Sequence, residues 1–136
     1  MTNYLLDTNH LSPLVTIGHP FRQRFLQNIN PSNTLAIPSP VITEFTYGIS
    51  LLPRARNNIT EWQRLRNRFA FYHIDDVIAE AAAQLQISLR RQGRQLGTID
   101  ALIAALALAN NLVLLTTDRD FETIPELLRE NWLNTP

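Results

Sequence analysis

Short apolar segments with strand character alternate with helical segments along almost the whole chain. Strands are predicted at residues 3–7, 34–37, 71–74, 112–116 and 128–132. Helices are predicted at 8–17, from Pro20 to 29, at 40–52, at 59–69, at 75–92 and at 99–109. This alternation predicts an α/β fold in which helices cover both faces of a parallel sheet. Ligands of such folds bind at the carboxyl ends of the strands.

Several helix ends carry recognisable signals. Ser39 before Pro40 has the form of an N-cap followed by a first-turn proline, and Thr98 is predicted to cap the apolar helix. Asp75 and Asp76 place negative charge at a helix start, where the helix dipole favours it. Gly93 is expected to end that helix.

Composition narrows the class of protein. The chain has 136 residues, of which 45% are hydrophobic and 18% charged, and we expect one globular domain over 1–136. The longest apolar run, 99–109, is too short to cross a bilayer, and no secretory signal is recognisable. The absence of cysteine excludes disulfides, zinc–thiolate sites and thiol nucleophiles. We therefore expect a cytoplasmic protein.

All 12 basic residues are arginine, and the net charge is zero. The zero net charge argues against nonspecific polyanion binding by the whole surface. A chain without lysine has no P-loop, which excludes a Walker-type nucleotide site. Arginine suits bidentate contacts with phosphate, although a codon bias of the genome explains the absence of lysine equally well.

Individual acids stand out because carboxylates are sparse in parts of the chain. Asp7 and Glu44 are the only acids in the first sixty residues. Asp7 ends an apolar strand, where an ionised carboxylate is costly unless something satisfies it. Glu44 lies at the edge of an apolar helix face, and its structural alternative is an ordinary solvated helix residue.

Two further acids follow the same pattern. Asp100 occupies the first turn of the apolar helix, where it is either a ligand or an ordinary helix-start residue. Asp118 follows the apolar strand 112–116, and Asp120 comes two residues later. Strand tips and helix starts could bring these acids to one end of the sheet, where like charges repel unless a cation neutralises them.

Oxygen ligands favour a hard cation, Mg²⁺ or Mn²⁺. No ligand spacing connects His10, His19 and His73, which are interpreted as structural or surface residues. Carboxylate-held magnesium serves phosphodiester hydrolysis well, because the ion activates water and stabilises the leaving oxygen. The acids therefore predict a metal-dependent hydrolase.

Four segments together carry a resemblance: LLDTN at 5–9, VITEFTYG at 41–48, TIDALIAA at 98–105 and TTDRDF at 116–121. In this order and spacing the chain resembles the PIN-domain ribonucleases, and more narrowly the VapC-type toxins of toxin–antitoxin pairs, from residue 4 to about Trp132. The resemblance implies a three-layer α/β/α fold with a five-stranded parallel sheet. It also implies Mg²⁺-dependent endonuclease activity on RNA; Mn²⁺ is a possible substitute because it too is a hard ion that accepts oxygen ligands.

The resemblance also implies roles for particular residues. Four carboxylates would form the acidic site: Asp7, Glu44, Asp100 and Asp118. Asp7 and Asp100 would be direct metal ligands. Three side chains would support the site by hydrogen bonds: Thr8, Asn9 and Thr116. Because the last motif varies within the family, Asp120 could share or take the fourth role; Asp118 is preferred because it stands nearer the strand tip.

Arginine clusters and an apolar stripe concern binding partners. The segment 54–68 carries five arginines opposed only by Glu61, and Arg90, Arg91 and Arg94 form a second cluster. Each cluster either guides RNA or is a solvated helix face; Arg90 and Arg91 are the preferred RNA-binding residues, because the chain runs from them to the Asp100 helix. The stripe of Ile59, Trp62, Leu65 and Phe69 is interpreted as core, with a partner interface as the alternative that the resemblance keeps open. Family likeness implies a homodimer and a small antitoxin partner.

Other classes of protein are less compatible with the chain. Haloacid-dehalogenase-like phosphatases and phosphoacceptor receivers also place Asp at strand ends with Mg²⁺, but both need a lysine. The haloacid type also needs a second Asp at the position of Asn9. The remaining alternative is a catalytically silent PIN-like module that binds RNA or protein, and the full set of acids argues against it.

Overall fold

The sheet has five strands, all parallel, as predicted. A computed structural model describes residues 2–16, 18–28 and 32–133. The strands are β1 (Thr2–Leu6), β2 (Asn33–Pro38), β3 (Ala70–Tyr72), β4 (Val113–Leu115) and β5 (Arg129–Glu130). Their order in the sheet is β3-β2-β1-β4-β5. Chain order therefore reverses direction between β1 and β4.

Six α-helices lie among the described residues: α1 (Thr8–Leu11), α2 (Pro20–Asn28), α3 (Ser39–Ser50), α4 (Ala55–Leu65), α5 (Asp76–Arg91) and α6 (Thr98–Asn110). Short 3₁₀ helices follow at Ser12–Val15, Arg66–Arg68 and Arg119–Thr123. Because parallel crossovers are right-handed, the helices between β1 and β3 cover one face, and α5 and α6, which lead back to β4, cover the other. The fold is a three-layer α/β/α domain, as the resemblance implies.

Burial follows the strand positions. The central strands read as continuous apolar runs because both of their faces are covered, and Leu5, Leu6 and Leu114 are fully buried. Helix α6 is nearly all Ala, Ile and Leu because it also lies in the core, where Ala101 and Ile103 are completely enclosed. The rigid core therefore holds the strand ends at which the acids lie.

Two predicted helix caps are wrong. Ser39 is the first residue of α3, after Pro38, and its Oγ instead accepts a hydrogen bond of 3.3 Å from the Ile74 backbone N–H. Thr98 likewise begins α6 after Gly97, and the helix has no side-chain N-cap. Both hydroxyls bond other segments of the chain: Thr98 Oγ1 accepts from Gln86 Nε2 of α5 at 3.3 Å.

Two other helix ends are as predicted. Asp75 caps α5, with Oδ1 accepting from the Ile78 N–H at 2.8 Å. The helix stops before Gly93, whose φ of 75° is the left-handed conformation that glycine adopts without strain. Strands β3, β4 and β5 are shorter than predicted. The predicted helix residues Ile17 and Ile29 lie outside the described residues.

The predicted apolar stripe, which begins in α4 and ends at Phe69 after the following 3₁₀ helix, is core at three of its four positions. Trp62, Leu65 and Phe69 are buried, whereas Ile59 is 38% exposed. No helix in the described ranges combines the length and apolar character needed to cross a membrane.

Candidate active site

The strand reversal between β1 and β4 positions the first pieces of the site. The Asp7 N–H donates to the Leu115 carbonyl at 3.0 Å, which extends the β1–β4 pairing by one residue. The two chain segments that leave these strands, Asp7–Asn9 and Thr116–Asp118, therefore lie side by side. This crevice is where open parallel sheets bind their ligands.

The Asp7 carboxylate is buried and accepts hydrogen bonds from three groups. Its Oδ1 accepts from the Thr8 N–H at 2.8 Å, and its Oδ2 accepts from Thr116 Oγ1 at 2.7 Å and from Asn9 Nδ2 at 3.2 Å. The residue is 7% exposed. Burial raises the pKa of the Asp7 carboxyl, the charge of Asp118 raises it further, and the hydrogen bonds oppose both effects.

Three carboxylates converge beside this residue. Oxygen atoms of Asp100, Asp118 and Asp120 all lie within 4.8 Å of one another. Asp118 is fixed at both ends, because its N–H donates to Thr116 Oγ1 at 3.0 Å and its Oδ1 accepts from the Asp120 N–H at 2.9 Å. This turn explains why Asp118 and Asp120 both reach Asp100 at the start of α6.

The fifth carboxylate, Glu44 on α3, completes what we call the acidic cluster: Asp7, Glu44, Asp100, Asp118 and Asp120. Thr8 Oγ1 donates to Glu44 Oε1 at 3.3 Å and connects the exposed glutamate to the Asp7 segment. The acids act on one another electrostatically. Burial raises the pKa of Asp100 to about 6, and the charges of Asp118, Asp7, Asp120 and Glu44 add to the effect.

A divalent cation fits this cluster. In the part of the chain that the structure describes, the ion pairs are those of Glu61 with Arg22 and Arg64, so no arginine neutralises the clustered acids. Asp100, Asp118 and Asp120 can hold a metal ion with oxygen ligands, the donor type that hard cations prefer. The raised pKa values of Asp7 and Asp100 show that their ionised forms are disfavoured without an ion. A bound cation would offset the negative charge and favour those forms.

A buried histidine adjoins the site. His10 has no exposed surface, and its Nδ1 lies 2.8 Å from Asn9 Oδ1. Its Nε2 accepts from the Trp132 N–H at 3.0 Å. Asn9 Oδ1 also accepts from the Thr117 N–H at 3.2 Å. Burial lowers the pKa of His10 to about 4, and the charge of Arg24 lowers it further.

The family model of the PIN domain matches residues 4–127. The chain belongs to the PIN-domain family. It is 29% identical to Ribonuclease VapC2 of Rickettsia felis, over 95% of this chain and 97% of that protein. It is also 29% identical to the tRNA(fMet)-specific endonuclease VapC of Shigella flexneri, over 97% and 99%. The crystal structure of VapBC2 from Rickettsia felis bound to a promoter DNA fragment matches with a TM-score of 0.82 at 28% identity, covering 96% and 99%.

The PIN-domain fold brings all the acids that the sequence pointed to, the five of the acidic cluster, to one end of the sheet. Carboxylate oxygens of Asp118 and Asp120 both lie within 4.8 Å of Asp100, so either acid could be the fourth of the site. The three supporting side chains, Thr8, Asn9 and Thr116, all make hydrogen bonds to acids of the cluster. Which acids contact an ion stays a prediction.

The arginines fall into different settings. Arg90 and Arg91 are exposed at the end of α5, and Arg90 lines a cavity of about 460 Å³ together with Arg94. In the 54–68 segment, Arg64 pairs with Glu61, and Arg66 lies 5.9 Å from the ring centre of Trp62. Those two arginines have structural partners, which favours the helix-face interpretation of that cluster.

Sequence reasoning missed the connection that His10 makes. It was interpreted as structural or surface, and it is structural, but it bonds directly to a side chain of the site. One signal was available: His10 follows Asp7 by three residues, so a single helical turn keeps the two close. Its second partner, Trp132, is 122 residues away and has no signal in the sequence.

Proposed function

We propose that this chain is a metal-dependent endoribonuclease that uses Mg²⁺, and that it is the toxin of a toxin–antitoxin pair. The observation that carries the proposal is the acidic cluster, which lies at the strand reversal without an arginine partner among the described residues. Membership of the PIN-domain family and relatives named as ribonucleases support it.

The clustered acids would hold the ion and position the attacking water. In the proposal Asp7 and Asp100 are the direct metal ligands. Asp118 is the preferred fourth acid of the catalytic set, and Asp120 is its alternative, since both lie beside Asp100. Glu44 completes the catalytic set, and its contact with Thr8 keeps its carboxylate toward the site. A bound divalent cation supplies a water of lowered pKa and neutralises charge on the phosphate.

Hydrogen bonds would prepare Asp7 for its role. Thr116 Oγ1 and Asn9 Nδ2 both donate to Oδ2, so the carboxylate cannot rotate away from the crevice. Fixed ligands lose little freedom when an ion binds, which raises affinity. Thr8, Asn9 and Thr116 are therefore supporting residues of the proposed site.

The proposed substrate is RNA with accessible single-stranded loops, whose backbone and bases can reach an open crevice. Arg90 and Arg91 would bind flanking phosphates, since both are exposed on the helix that leads to α6. Magnesium is preferred to manganese on the general chemistry of phosphodiester hydrolysis, and the donor set accepts either ion.

The proposal includes partners and a location. We propose a single PIN-like domain over 1–136 that acts in the cytoplasm, forms a homodimer and is inhibited by an antitoxin protein. VapBC names a family of toxin–antitoxin systems. An exposed apolar patch near the end of α3, with Tyr47 at 68%, Leu51 at 67% and Leu52 at 44% exposure, supports a protein partner. A monomer in size-exclusion chromatography at high concentration would contradict the dimer.

Cleavage of a structured RNA tests the activity. The wild-type protein should cut with Mg²⁺ and stop when a chelator is added, and Asp7→Asn should lose cleavage. Glu80→Gln is the matched control, because Glu80 is an exposed acid of α5 outside the cluster. Cleavage that persists in the chelator, or that Asp7→Asn leaves unchanged, would refute the proposal. A silent binding module would bind RNA without cutting it and show no carboxylate-dependent Mn²⁺ affinity.

A further inference from the structure

The hydrogen bonds of His10 determine which of its ring nitrogens carries the proton. The Trp132 N–H can only donate, so Nε2 must present its lone pair. A neutral ring then carries its proton on Nδ1, and this N–H donates to Asn9 Oδ1 at 2.8 Å. The ring is fully buried, and it meets Phe21 edge-on with centroids 5.6 Å apart.

This proton position fixes the orientation of the Asn9 amide. Asn9 Oδ1 receives two donors, the His10 ring and the Thr117 N–H. Its Nδ2 is therefore directed to the opposite side, where it donates to Asp7 Oδ2 at 3.2 Å. If the Asn9 amide were flipped, its NH₂ group would face two other donors, the His10 ring N–H and the Thr117 N–H. The amide could then no longer donate a hydrogen bond to Asp7.

The far end of this chain of bonds is the segment after β5. Trp132 is held by helix α2, because its carbonyl accepts from Arg24 Nη1 at 2.8 Å and its ring lies 5.7 Å from the Arg24 guanidinium. The ring also packs edge-on against Tyr4 and Phe25. Trp132 is thus a rigid support for His10, and it lies on the far side of His10 from Asn9.

We propose that His10 is a positioning residue that acts through Asn9 to hold Asp7 in its metal-binding orientation, and that it ties the chain after β5 to the site. The inference rests on the proposed function, because it assigns Asp7 a role in metal binding. It does not make His10 a ligand or a proton carrier. Its predicted effect is on the affinity for a divalent ion, through the loss of one fixed hydrogen bond.

Two substitutions at His10 separate the hydrogen bond to Asn9 from the hydrogen bond with Trp132. His10→Asn keeps an N–H donor near the position of Nδ1, which can reach Asn9, but it cannot reach Trp132. His10→Gln keeps an acceptor near the position of Nε2, which can reach Trp132, but it leaves Asn9 Oδ1 without its ring donor. A positioning role predicts that His10→Gln weakens Mn²⁺ binding about tenfold, whereas His10→Asn stays within about twofold of wild type.

Mn²⁺ titration by electron paramagnetic resonance measures this difference, and hydrogen exchange at the Thr117 amide reports the Asn9 orientation. Exchange should accelerate in His10→Gln and remain near wild type in His10→Asn. His19→Gln is the matched control, because His19 bonds the Phe21 N–H outside the site. Equal losses of Mn²⁺ affinity in both variants, or no loss in either, would overturn the proposal.

A measurement on the unmodified protein keeps the test decisive if the variants do not fold. Nitrogen NMR should show His10 neutral, with the proton on Nδ1; a proton on Nε2 would refute the inference. None of these measurements requires RNA cleavage. A protein with the predicted proton position and Mn²⁺ pattern but no cleavage would refute the proposed function alone, and a cleaving protein without them would refute the positioning role alone.

Discussion

Within the described ranges, carboxylates are enclosed in two places, and the two places treat the charge in opposite ways. Glu61 on α4 has an 11% exposed side chain, and it pairs with Arg22 from α2 and with Arg64 one turn later. The hydrogen bond from Arg64 is the main cause that lowers the pKa of Glu61. In the acidic cluster, burial and neighbouring acids raise the pKa of Asp7 and of Asp100.

The difference shows that the fold can neutralise an enclosed carboxylate with arginine, as it does at Glu61. At the strand reversal it does not, and hydroxyls, an amide and backbone N–H groups serve as partners instead of arginine. Such partners orient a carboxylate and leave its charge available for a cation. Uncompensated charge costs stability, and such costs are typical of functional sites.

The largest expected effect is on RNA cleavage, which should depend on the acidic cluster and not on Glu61. Asp100→Asn should reduce RNA cleavage by about a hundredfold or more, because a lost metal ligand costs at least as much as a lost supporting residue. Glu61→Gln should leave cleavage by the folded protein near wild type. Single-turnover rates at saturating Mg²⁺ measure both. Comparable losses in the two variants would remove the functional distinction.

Stability should change with opposite signs for the same chemical substitution. Glu61→Gln should lower the free energy of unfolding by about 1–3 kcal/mol, because the largely buried Arg22 loses its carboxylate partner. Asp100→Asn should raise it by about 1–2 kcal/mol without metal at pH 7, because the raised pKa of about 6 means that ionised Asp100 is disfavoured in the folded state. Solvent screening of this half-buried carboxyl keeps the gain below the full value of the shift.

Urea unfolding in a chelator measures both changes. The gain in Asp100→Asn should disappear as the pH falls below the ordinary aspartate pKa of 3.8, where the carboxyl is protonated in the folded and unfolded states alike. If Asp100→Asn instead destabilised the protein at pH 7, burial and repulsion among the clustered acids would not be destabilising the metal-free fold.

Metal affinity should depend on pH with a midpoint set by Asp100. A cation binds the deprotonated carboxylate, so below a pKa of about 6 the affinity should fall roughly tenfold for each pH unit. Isothermal titration with Mn²⁺ from pH 5 to 7.5 measures the dependence, together with proton release near pH 6. An affinity that stays constant over this range would show that Asp100 is not linked to ion binding.

The smallest expected effect concerns the arginines. Replacing Arg90 and Arg91 together with Gln should reduce the slope of log K against log salt for RNA binding by about 1.4, since each phosphate contact on a single strand contributes about 0.7. The matched control replaces Arg64 and Arg66, which have partners within the fold. An unchanged slope in the first pair would remove Arg90 and Arg91 from the RNA-binding surface.

Local patterns predicted the architecture well because each strand and helix has its own signal. The parallel sheet followed from alternating apolar segments, and α5 begins at the two acids Asp75 and Asp76, where negative charge predicted a helix start. The predicted caps at Ser39 and Thr98 are wrong because each hydroxyl accepts a hydrogen bond from a distant segment. The donor to Ser39 is Ile74, just after β3, and the donor to Thr98 is Gln86 of α5. A hydroxyl cannot show from its neighbours in sequence which distant donor it will meet.

The sequence by itself determined which residues could bind a cation: sparse acids at strand ends and helix starts, with no cysteine and no lysine. Tertiary structure alone decided which charges are neutralised, because pairing depends on distances between segments far apart in the chain. Arg22 meets Glu61 across 39 positions, and His10 meets Trp132 across 122. Periodicity encodes the direction in which a side chain faces, but only packing brings it to a partner.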